Sequence, residues 1–450
     1  MILKKIDTLV VIGGNAAGAA AAARLKKLNP DAEVILFEKS PYISTGTCEM
    51  PFYFSGEIKS PDQLVFFNAE SFQREKGVKV YTGTEVLHID RKRREVVYKG
   101  SNESTGSLPY SKVIIATGSK AVIPPAFEGN FKNVFSLKSI SDLYGIHAYF
   151  SNKIPQKITV IGGGYIGLEV CDSLSVMHND ITLIEKEDRI LPQASTELSA
   201  LLLEILKKKG INVITGAKEI RSFEAEGKIK KIKTGSLLTD TCFTILASGF
   251  RPETALASAA GLITGASGGI KTDVFQRTND FDICAAGDCT EYREFITNRS
   301  MLYFSATASY KSGHSAAENI SGLKRQIGGL VKNLSFRFFD NYAGLAGISE
   351  KEAIENGFVT DSVTVVADNL PKVMPESRKT FGKIIYRKSD KMILGAEFIG
   401  GKEISGYLDT VSVMIKNRIS AVRLSEMDFN YTPSLSPFIN LLTIAGKKIK

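Results

Sequence analysis

Residues 7–40 read "DTLVVIGGNAAGAAAAARLKKLNPDAEVILFEKS", and the architecture of the chain can be inferred from this stretch outward. An apolar run ends in glycines, an alanine-rich segment follows, and a second apolar run ends at Glu38. This order predicts a strand, a helix and a second strand, in which Gly13 starts the turn and Gly18 packs the helix closely on the strand. Asn15 replaces the second glycine of G-x-G-x-x-G. We expect the turn to survive, because Asn tolerates positive φ better than most residues.

Such a unit binds a dinucleotide. The N-terminus of its helix faces a pyrophosphate, and an acid about 20 residues after the last glycine accepts hydrogen bonds from the ribose. Glu38 stands 20 residues after Gly18. The complete set of strand, turn, helix, strand and acid therefore predicts a nucleotide site.

The same unit occurs again at 156–192, "QKITVIGGGYIGLEVCDSLSVMHNDITLIEKEDRILP", with the full glycine motif and Glu185 at the end of its second strand. Two such units predict two dinucleotides, most simply a flavin and a nicotinamide, because a hydride must pass between them. Glu185 suits the free ribose hydroxyl of NADH. Lys186 and Arg189 lie close by in sequence and leave NADPH open.

Three further segments indicate how the chain is divided. "YSKVIIATGSKAVIPP" (110–125) and "NDFDICAAGDCTE" (279–291) both read as strands that end in glycine turns, and Asp288 could hydrogen-bond the ribityl chain of a flavin. We predict an α/β protein in which a flavin domain, 1–120 and 280–325, is split by a nicotinamide domain at 150–279. Residues 330–450 alternate strands and helices without a glycine motif and predict a separate α+β domain.

The composition limits the class of protein. The chain has 450 residues, a net charge of +9 and 5 cysteines, too few for a disulfide scaffold, so a cytoplasmic location is expected. There is no run of 18 apolar residues, and we expect no membrane span. The lysines are mostly scattered, which argues against a nucleic-acid partner. We expect no metal site.

The cysteines are not equivalent. Cys48 lies in "STGTCEMP" (44–51) with no second cysteine nearby. Cys284 and Cys289 have the offset of a redox pair, but their segment is better explained as a flavin-binding strand and turn. Cys171 and Cys242 are expected to be inert thiols in the core.

Taken in order, the motifs "VIGGNAAG", "STGTCEMPFYFSGEI", "IIATGS", "VIGGGYIGLE", "AAGDC" and "YTPSLSPFINLL" resemble those of the flavin-dependent pyridine nucleotide–disulfide reductases. The nearer resemblance is to the single-cysteine branch, which includes coenzyme A disulfide, persulfide and polysulfide reductases, NADH oxidases and NADH peroxidases. It implies FAD, NADH or NADPH, and a homodimer built by the last domain. It also implies that Cys48 is the redox-active cysteine above the flavin, pairing with a small thiol such as coenzyme A or forming a sulfenic acid.

The resemblance and the two glycine motifs together predict the nucleotide contacts. For FAD they are Gly13, Asn15, Ala16, Ala17, Gly18, Glu38, Lys39, Val86, Ala116, Thr117, Gly118, Gly287 and Asp288. For the nicotinamide nucleotide they are Gly162, Gly164, Tyr165, Ile166, Gly167, Glu169, Glu185 and Gly249. Tyr165 resembles the aromatic gate that covers the flavin until nicotinamide displaces it.

For coenzyme A, the positions that the resemblance implies are Ala20, Arg24, Lys27, Ser44, Thr47 and Lys76, and His314 is a further candidate for the substrate channel. Arg24 and Lys27 share a helical face and could bind the 3′-phosphate together with Lys76, or form an ordinary solvated face. Thr47 and Glu49 depart from the usual residues beside the cysteine, and Glu49 would raise the pKa of the thiol.

Tyr431 matches a tyrosine that reaches the partner subunit's flavin and cysteine, where its phenol can protonate a leaving thiolate. Packing in the dimer interface is the alternative. The family's second such tyrosine falls near Asn369 and Leu370, which departs from the pattern.

The chemistry expected is the reduction of a small disulfide, persulfide or polysulfide through a mixed disulfide on Cys48. Peroxidases and oxidases of this branch resemble one another in carrying a histidine in the first glycine turn, where this chain has Ala16. Two alternatives remain: an NADH oxidase that uses a cysteine sulfenic acid, and a flavoprotein that passes electrons to a small iron–sulfur protein.

Overall fold

The computed structural model describes residues 7–151, 155–177 and 180–450. Residues 1–6, 152–154 and 178–179, which fall within the predicted domains, lie outside the described residues. The helices are α1 (Ala16–Leu28), α2 (Ala69–Lys76), α3 (Ile140–Phe150), α4 (Tyr165–Ser175), α5 (Thr196–Lys208), α6 (Ala255–Ala259), α7 (Ala306–Ile320), α8 (Glu350–Glu355), α9 (Ile404–Lys416) and α10 (Leu441–Lys448).

The first sheet is parallel and holds the opening stretch of the sequence. Its strands lie in the order Ile283–Ala285, Lys112–Ile115, Thr8–Ile12, Glu33–Phe37 and Lys79–Tyr81. The central strand is buried over its last four residues, as expected for a parallel sheet covered on both faces. One edge strand thus comes from a part of the chain that follows the second glycine motif.

The second sheet repeats this arrangement. Its parallel strands are ordered Val134–Ser136, Phe243–Leu246, Lys157–Ile161, Asp180–Ile184 and Asn212–Ile214. In both sheets the strand that precedes the glycine turn is central. The two nucleotide turns therefore lie at the carboxyl ends of central strands, where open α/β sheets bind ligands.

The third sheet is antiparallel and carries the C-terminal helices. Its order is Asn333–Phe338, Asn341–Gly347, Ile393–Gly400, Lys379–Arg387 and Thr360–Asp368. Helices α9 and α10 pack on it in one apolar core. Two parallel α/β sheets and an α+β unit confirm the predicted fold class, while the exact domain limits stay predictions.

Smaller elements complete the chain. Antiparallel sheets are formed by Ile43–Thr45 with Val65–Phe67; Glu85–Asp90, Glu95–Lys99 and Thr105–Pro109; Ser119–Ala121 with Phe250–Pro252; Ile220–Ala225, Lys228–Thr234 and Leu237–Asp240; and Tyr292–Arg293 with Ser300–Met301. Short 3-10 helices span Met50–Tyr53, Pro61–Leu64, Pro125–Phe127 and Ala421–Ser425. Among the described residues, no helix is long and apolar enough to cross a membrane.

Candidate active site

The first glycine turn is built by two close approaches of backbone. Gly13 has φ +105°, and a Cβ on it would lie 2.1 Å from the carbonyl oxygen of Ala116. A Cβ on Gly18 would lie 1.7 Å from the carbonyl oxygen of Gly13. Both positions therefore require glycine, and helix α1 begins directly above the strand end.

The acid at the end of the second strand holds this turn in place. Glu38 accepts hydrogen bonds from the backbone N–H of Gly14 at 2.7 Å and of Ser40 at 2.8 Å. The carboxylate thus sits beside the start of α1, at the edge where a ribose would lie.

Asn15 plays a different part from the one expected. Its φ is −93°, so the interpretation that it supplies a positive φ is wrong; Gly13 supplies it instead. The Asn15 side chain does not cap α1. Its Oδ1 accepts hydrogen bonds from the backbone N–H and the hydroxyl of Thr45, at 3.1 and 2.9 Å. Asn15 therefore connects the nucleotide turn to the cysteine segment, and the first turn of α1 keeps its N–H groups for an anion.

The second glycine turn repeats the design. Gly162 has φ +110°, and a Cβ on Gly167 would lie 1.9 Å from the carbonyl oxygen of Gly162. Glu185 is 5% exposed and accepts hydrogen bonds from the backbone N–H of Gly163 at 2.5 Å and of Glu187 at 2.8 Å. Gly164 has open space around its Cβ position, and helix α4 lacks a side-chain cap. This open turn fits the close approach of a pyrophosphate.

The two cations near Glu185 differ in how they are used. The Arg189 guanidinium donates hydrogen bonds to the carbonyls of Pro192 and Ala194, each at 3.2 Å, and so is folded onto its own loop. Lys186 is exposed and lies beside Glu187. Lys186 is therefore the more exposed of the two cations near Glu185.

Asp288 joins three segments near the start of helix α1. It accepts hydrogen bonds from the hydroxyl groups of Ser119 at 2.8 Å and Ser309 at 3.0 Å, and it forms an ion pair with Lys138 at 3.1 Å. The preceding Gly287 has φ +84°, and a Cβ on it would lie 2.8 Å from the Cβ of Ala17. This turn is thus pressed against the start of α1.

Cys48 is an exposed free thiol directly before the 3-10 helix Met50–Tyr53. One side of the residue is open to solvent, yet the pKa of the thiol is raised, first because its surroundings desolvate the sulfur. The carboxylates of Glu49, Glu169 and Asp288 raise it further, and the Lys138 ammonium opposes them. Glu49 therefore acts as its position in the sequence suggested.

Helix α4 brings two side chains to the same place. Burial raises the pKa of Tyr165 to about 12, with smaller contributions from Cys48 and Glu169. Burial likewise raises the pKa of Glu169 to about 7, while a hydrogen bond from the Arg337 backbone lowers it. Cys48 thus lies within electrostatic reach of Tyr165, Glu169 and Asp288, which follow the two glycine turns or the strand Ile283–Ala285.

A cavity of about 410 Å³ lies between α1, α2 and α7. It collects four of the predicted substrate residues from three separate parts of the chain. Its lining consists of Ala23, Arg24, Lys26, Lys27, Glu75, Lys76 and His314. Ser44 and Thr47 lie in the cysteine segment, and Ala20 lies within α1.

The structure adds partners that the sequence analysis missed. Arg24 pairs with Glu318 at 2.6 Å, and Lys26 donates to the carbonyls of Pro30 and Ala32. The ring of Tyr310 lies 4.4 Å from that of His314, which is inside α7. Glu318 and Tyr310 lie one helical turn to either side of His314, a spacing that could have identified them from the sequence.

The other predicted residues lie elsewhere. Tyr431 is 47% exposed and contacts Phe438 edge-on, 5.4 Å between ring centroids, within an exposed apolar stretch that includes Leu435. Cys284 and Cys289 are buried, as is Cys171. Cys242 is exposed and stands just before its strand, so its expected place in the core is wrong.

Two family models match this chain. Residues 7–313 match the pyridine nucleotide-disulphide oxidoreductases, and residues 335–442 match the dimerisation domain of the same group. The chain belongs to the pyridine nucleotide-disulphide oxidoreductase family. The resemblance to this family that was inferred from the motifs is confirmed, while membership of its single-cysteine branch stays a prediction. The chain is thus an oxidoreductase that uses a flavin and a pyridine nucleotide.

Individual relatives are similar over the whole length. The chain is 28% identical over 444 residues to "NAD(P)H coenzyme A polysulfide/persulfide reductase" of Pyrococcus horikoshii, covering 98% of both chains. It is 26% identical to an NADH oxidase of Methanocaldococcus jannaschii, covering 97% of both. Among solved structures, a NAD-dependent persulfide reductase from A. fulgidus superposes with a TM-score of 0.94 at 29% identity, covering 98% of this chain and 82% of that one.

Proposed function

We propose that this protein uses NAD(P)H to reduce the sulfur–sulfur bond of a small disulfide, persulfide or polysulfide, and that the substrate is linked to coenzyme A. The observation that carries the proposal is the cavity that collects Arg24, Lys27, Lys76 and His314, in a chain whose exposed thiol lies near the nicotinamide helix. The similarity to a coenzyme A polysulfide/persulfide reductase supports the same substrate class.

The two nucleotides would be held by the glycine turns. FAD would lie on α1 with Glu38 at its ribose, and NAD(P)H on α4 with Glu185 at its ribose. When bound, FAD supplies the two-electron chemistry that links hydride from NAD(P)H to sulfur. Asp288 would orient the ribityl chain of the flavin, and Tyr165 would cover the nicotinamide position.

The thiol of Cys48 performs the exchange with the substrate. Its thiolate attacks one sulfur of the substrate, breaks the sulfur–sulfur bond and forms a mixed disulfide, releasing one thiolate. Two electrons then cleave the mixed disulfide, which restores the Cys48 thiolate and releases the second thiolate. In sum NAD(P)H, one proton and a disulfide yield NAD(P)⁺ and two thiols. The raised pKa of Cys48 works against formation of the thiolate, and the nearby ammonium of Lys138 opposes part of this effect.

The charges that line the cavity suit a ligand that carries a phosphate on a larger organic molecule. Arg24 is held by Glu318, and Lys26 by backbone carbonyls, whereas Lys27 makes no hydrogen bond or ion pair within the described residues. The Lys76 ammonium lies over the ring of Phe67, 5.2 Å from its centroid. Lys27 and Lys76 are therefore the cations best placed to meet the 3′-phosphate of coenzyme A.

The second half of the site would come from a partner subunit. The C-terminal segment matches a dimerisation domain, which supports a homodimer. Tyr431 lies in an exposed apolar stretch, as expected of a residue that a second copy covers. We propose that Tyr431 of one subunit protonates the thiolate that leaves Cys48 of the other. A cytoplasmic location stays a prediction that suits free thiols.

The experiment that tests this function is the intact mass of the purified protein before and after reductant, followed by Cys48→Ser. An adduct with the mass of coenzyme A on the Cys48 peptide, removed by reductant, is expected. The variant should lose disulfide reduction but still transfer electrons from NADH to ferricyanide. A variant that still reduces coenzyme A disulfide would exclude the role of Cys48.

An NADH oxidase is the second candidate, because a relative of that name covers the whole chain. Against it stands Ala16, which lies in the first glycine turn and cannot donate a proton to a peroxide oxygen. Oxygen uptake with NADH alone, compared with thiol release from coenzyme A disulfide, distinguishes the two. A carrier for an iron–sulfur protein would instead keep its activity after Cys48 is alkylated.

A further inference from the structure

Arg337 connects three parts of the molecule that meet beside Cys48. It belongs to the strand Asn333–Phe338 of the antiparallel sheet, yet its side chain leaves that sheet. The guanidinium lies over the ring of Phe52, 4.5 Å from the centroid, and pairs with Glu57 at 2.7 Å and with Asp172 at 3.3 Å. The three contacts thus join residues from separate segments of the chain.

On one side these contacts hold helix α4. Asp172 is largely buried and lies three residues after Glu169, so the two carboxyl groups occupy the same face of the helix. Arg337 also lowers the pKa of Glu169, the other carboxyl group on this face. The face of α4 that carries the proposed nicotinamide residues is therefore held by Arg337 through Asp172.

On the other side the contacts hold the cysteine segment. Phe52 belongs to the 3-10 helix that starts two residues after Cys48, and Met50 and Pro51 of that helix are buried. Glu57 follows in the same segment and also accepts a hydrogen bond from Ser55 at 2.8 Å. The stacked ring and the ion pair thus fix the segment at two points.

We propose that Arg337 is a positioning residue, which sets the Cys48 segment and the nicotinamide helix at a fixed separation, so that hydride arrival and thiol exchange occur at one place. It touches neither the substrate nor the reacting atoms, and it acts through Phe52, Glu57 and Asp172. A planar guanidinium can lay its flat face on a ring while its N–H groups point to two carboxylates, and an ammonium has no such flat face. This inference rests on the roles proposed for Cys48 and helix α4.

The arrangement also affects the ionisation of Glu169. The charged groups facing Arg337 are Glu57, Asp172 and Glu169, with Asp340 near Asp172. Arg337 lowers the pKa of Glu169 against the effect of burial. Removing the guanidinium is expected to raise this pKa, because the charged carboxylate loses its cation. A carboxylate beside a nicotinamide favours loss of hydride, since positive charge then develops on the ring.

The experiment compares Arg337→Gln, Arg337→Lys and Arg277→Gln in the FAD-containing protein. Arg277 is a matched control, because it lies 4.6 Å from the centroid of the Phe275 ring and pairs with Asp273 at 2.7 Å, away from the site. Flavin reduction by NADH is followed by stopped-flow absorbance between pH 5.5 and 9.

Arg337→Gln should slow flavin reduction about tenfold and move the acid limb of its pH profile upward. Arg337→Lys should slow the reaction with a smaller pH shift, and it serves as the test if the Gln variant does not fold. Arg277→Gln should behave as wild type. If the Arg337 variants lose thermal stability but keep the wild-type rate and pH profile, the residue is merely structural and the proposal is wrong. Failure of the wild type to reduce any disulfide would contradict the proposed substrate, but flavin reduction would still test Arg337.

Discussion

Replacement of Lys76 by Met tests the substrate class most directly. The change keeps an unbranched apolar side chain of similar length, and it removes a charge from the cavity together with the ammonium that lies over the Phe67 ring. Two opposite unit charges 4 Å apart attract each other by about 1 kcal/mol in water and about 4 kcal/mol near a protein surface. The cavity is open to solvent, so we expect about 2 kcal/mol, which corresponds to about a 30-fold rise in KM for coenzyme A disulfide.

The assay is NADH oxidation with two substrates, coenzyme A disulfide and pantethine, which shares the thiol arm but has no nucleotide. The KM for pantethine should be unchanged in Lys76→Met, and the effect on coenzyme A disulfide should shrink at high salt. Lys27→Met should act in the same direction. Lys92→Met, on an exposed hairpin, is the control. Equal changes in KM for both substrates would show that Lys76 does not bind the phosphate, and the proposed substrate class would lose its support.

Three further predictions follow from the same geometry. Because the pKa of Glu169 is about 7, the rate of flavin reduction by NADH should rise with pH through this region as the carboxylate forms. Glu169→Gln should flatten this pH profile. If the rise of the rate with pH is unchanged in the variant, another group is responsible for it. Gly164→Ala places its methyl group in open space, so it should keep the wild-type melting temperature while raising the KM for NADH. Gly167→Ala should lower the melting temperature, because its Cβ would lie 1.9 Å from a carbonyl oxygen. Equal melting temperatures for the two variants would contradict this packing. Tyr431→Phe and Cys48→Ser are each expected to be impaired, and mixed dimers should recover one working site in the heterodimer; no recovery would place both residues in one subunit.

The two glycine-turn units and the position of the Cys48 thiol can be inferred from local patterns in the chain. Close approaches of one backbone segment to another require glycine at Gly13, Gly18, Gly162 and Gly167. Such local constraints leave a regular spacing of glycines in the sequence. The same holds for the acids after the second strands, because the end of a strand fixes where a carboxylate can point. Asn15 shows the limit of this reasoning. The motif places Asn15 in the glycine turn, but the hydrogen bonds of its side chain go to Thr45, thirty residues later in the sequence.

Contacts between residues far apart in the chain follow instead from how the folded units pack. The cavity draws cations from α1 and α2 and a histidine from α7, and Glu318 then removes Arg24 from the free charges, which no local pattern reveals. Arg337 is a surface-type residue in its own strand, yet it joins Phe52, Glu57 and Asp172 from two other units. Periodicity and motif spacing describe contacts between near neighbours in the chain. Ion pairs and stacked rings between units instead depend on how whole sheets and helices pack against one another, and packing is settled by the fold as a whole.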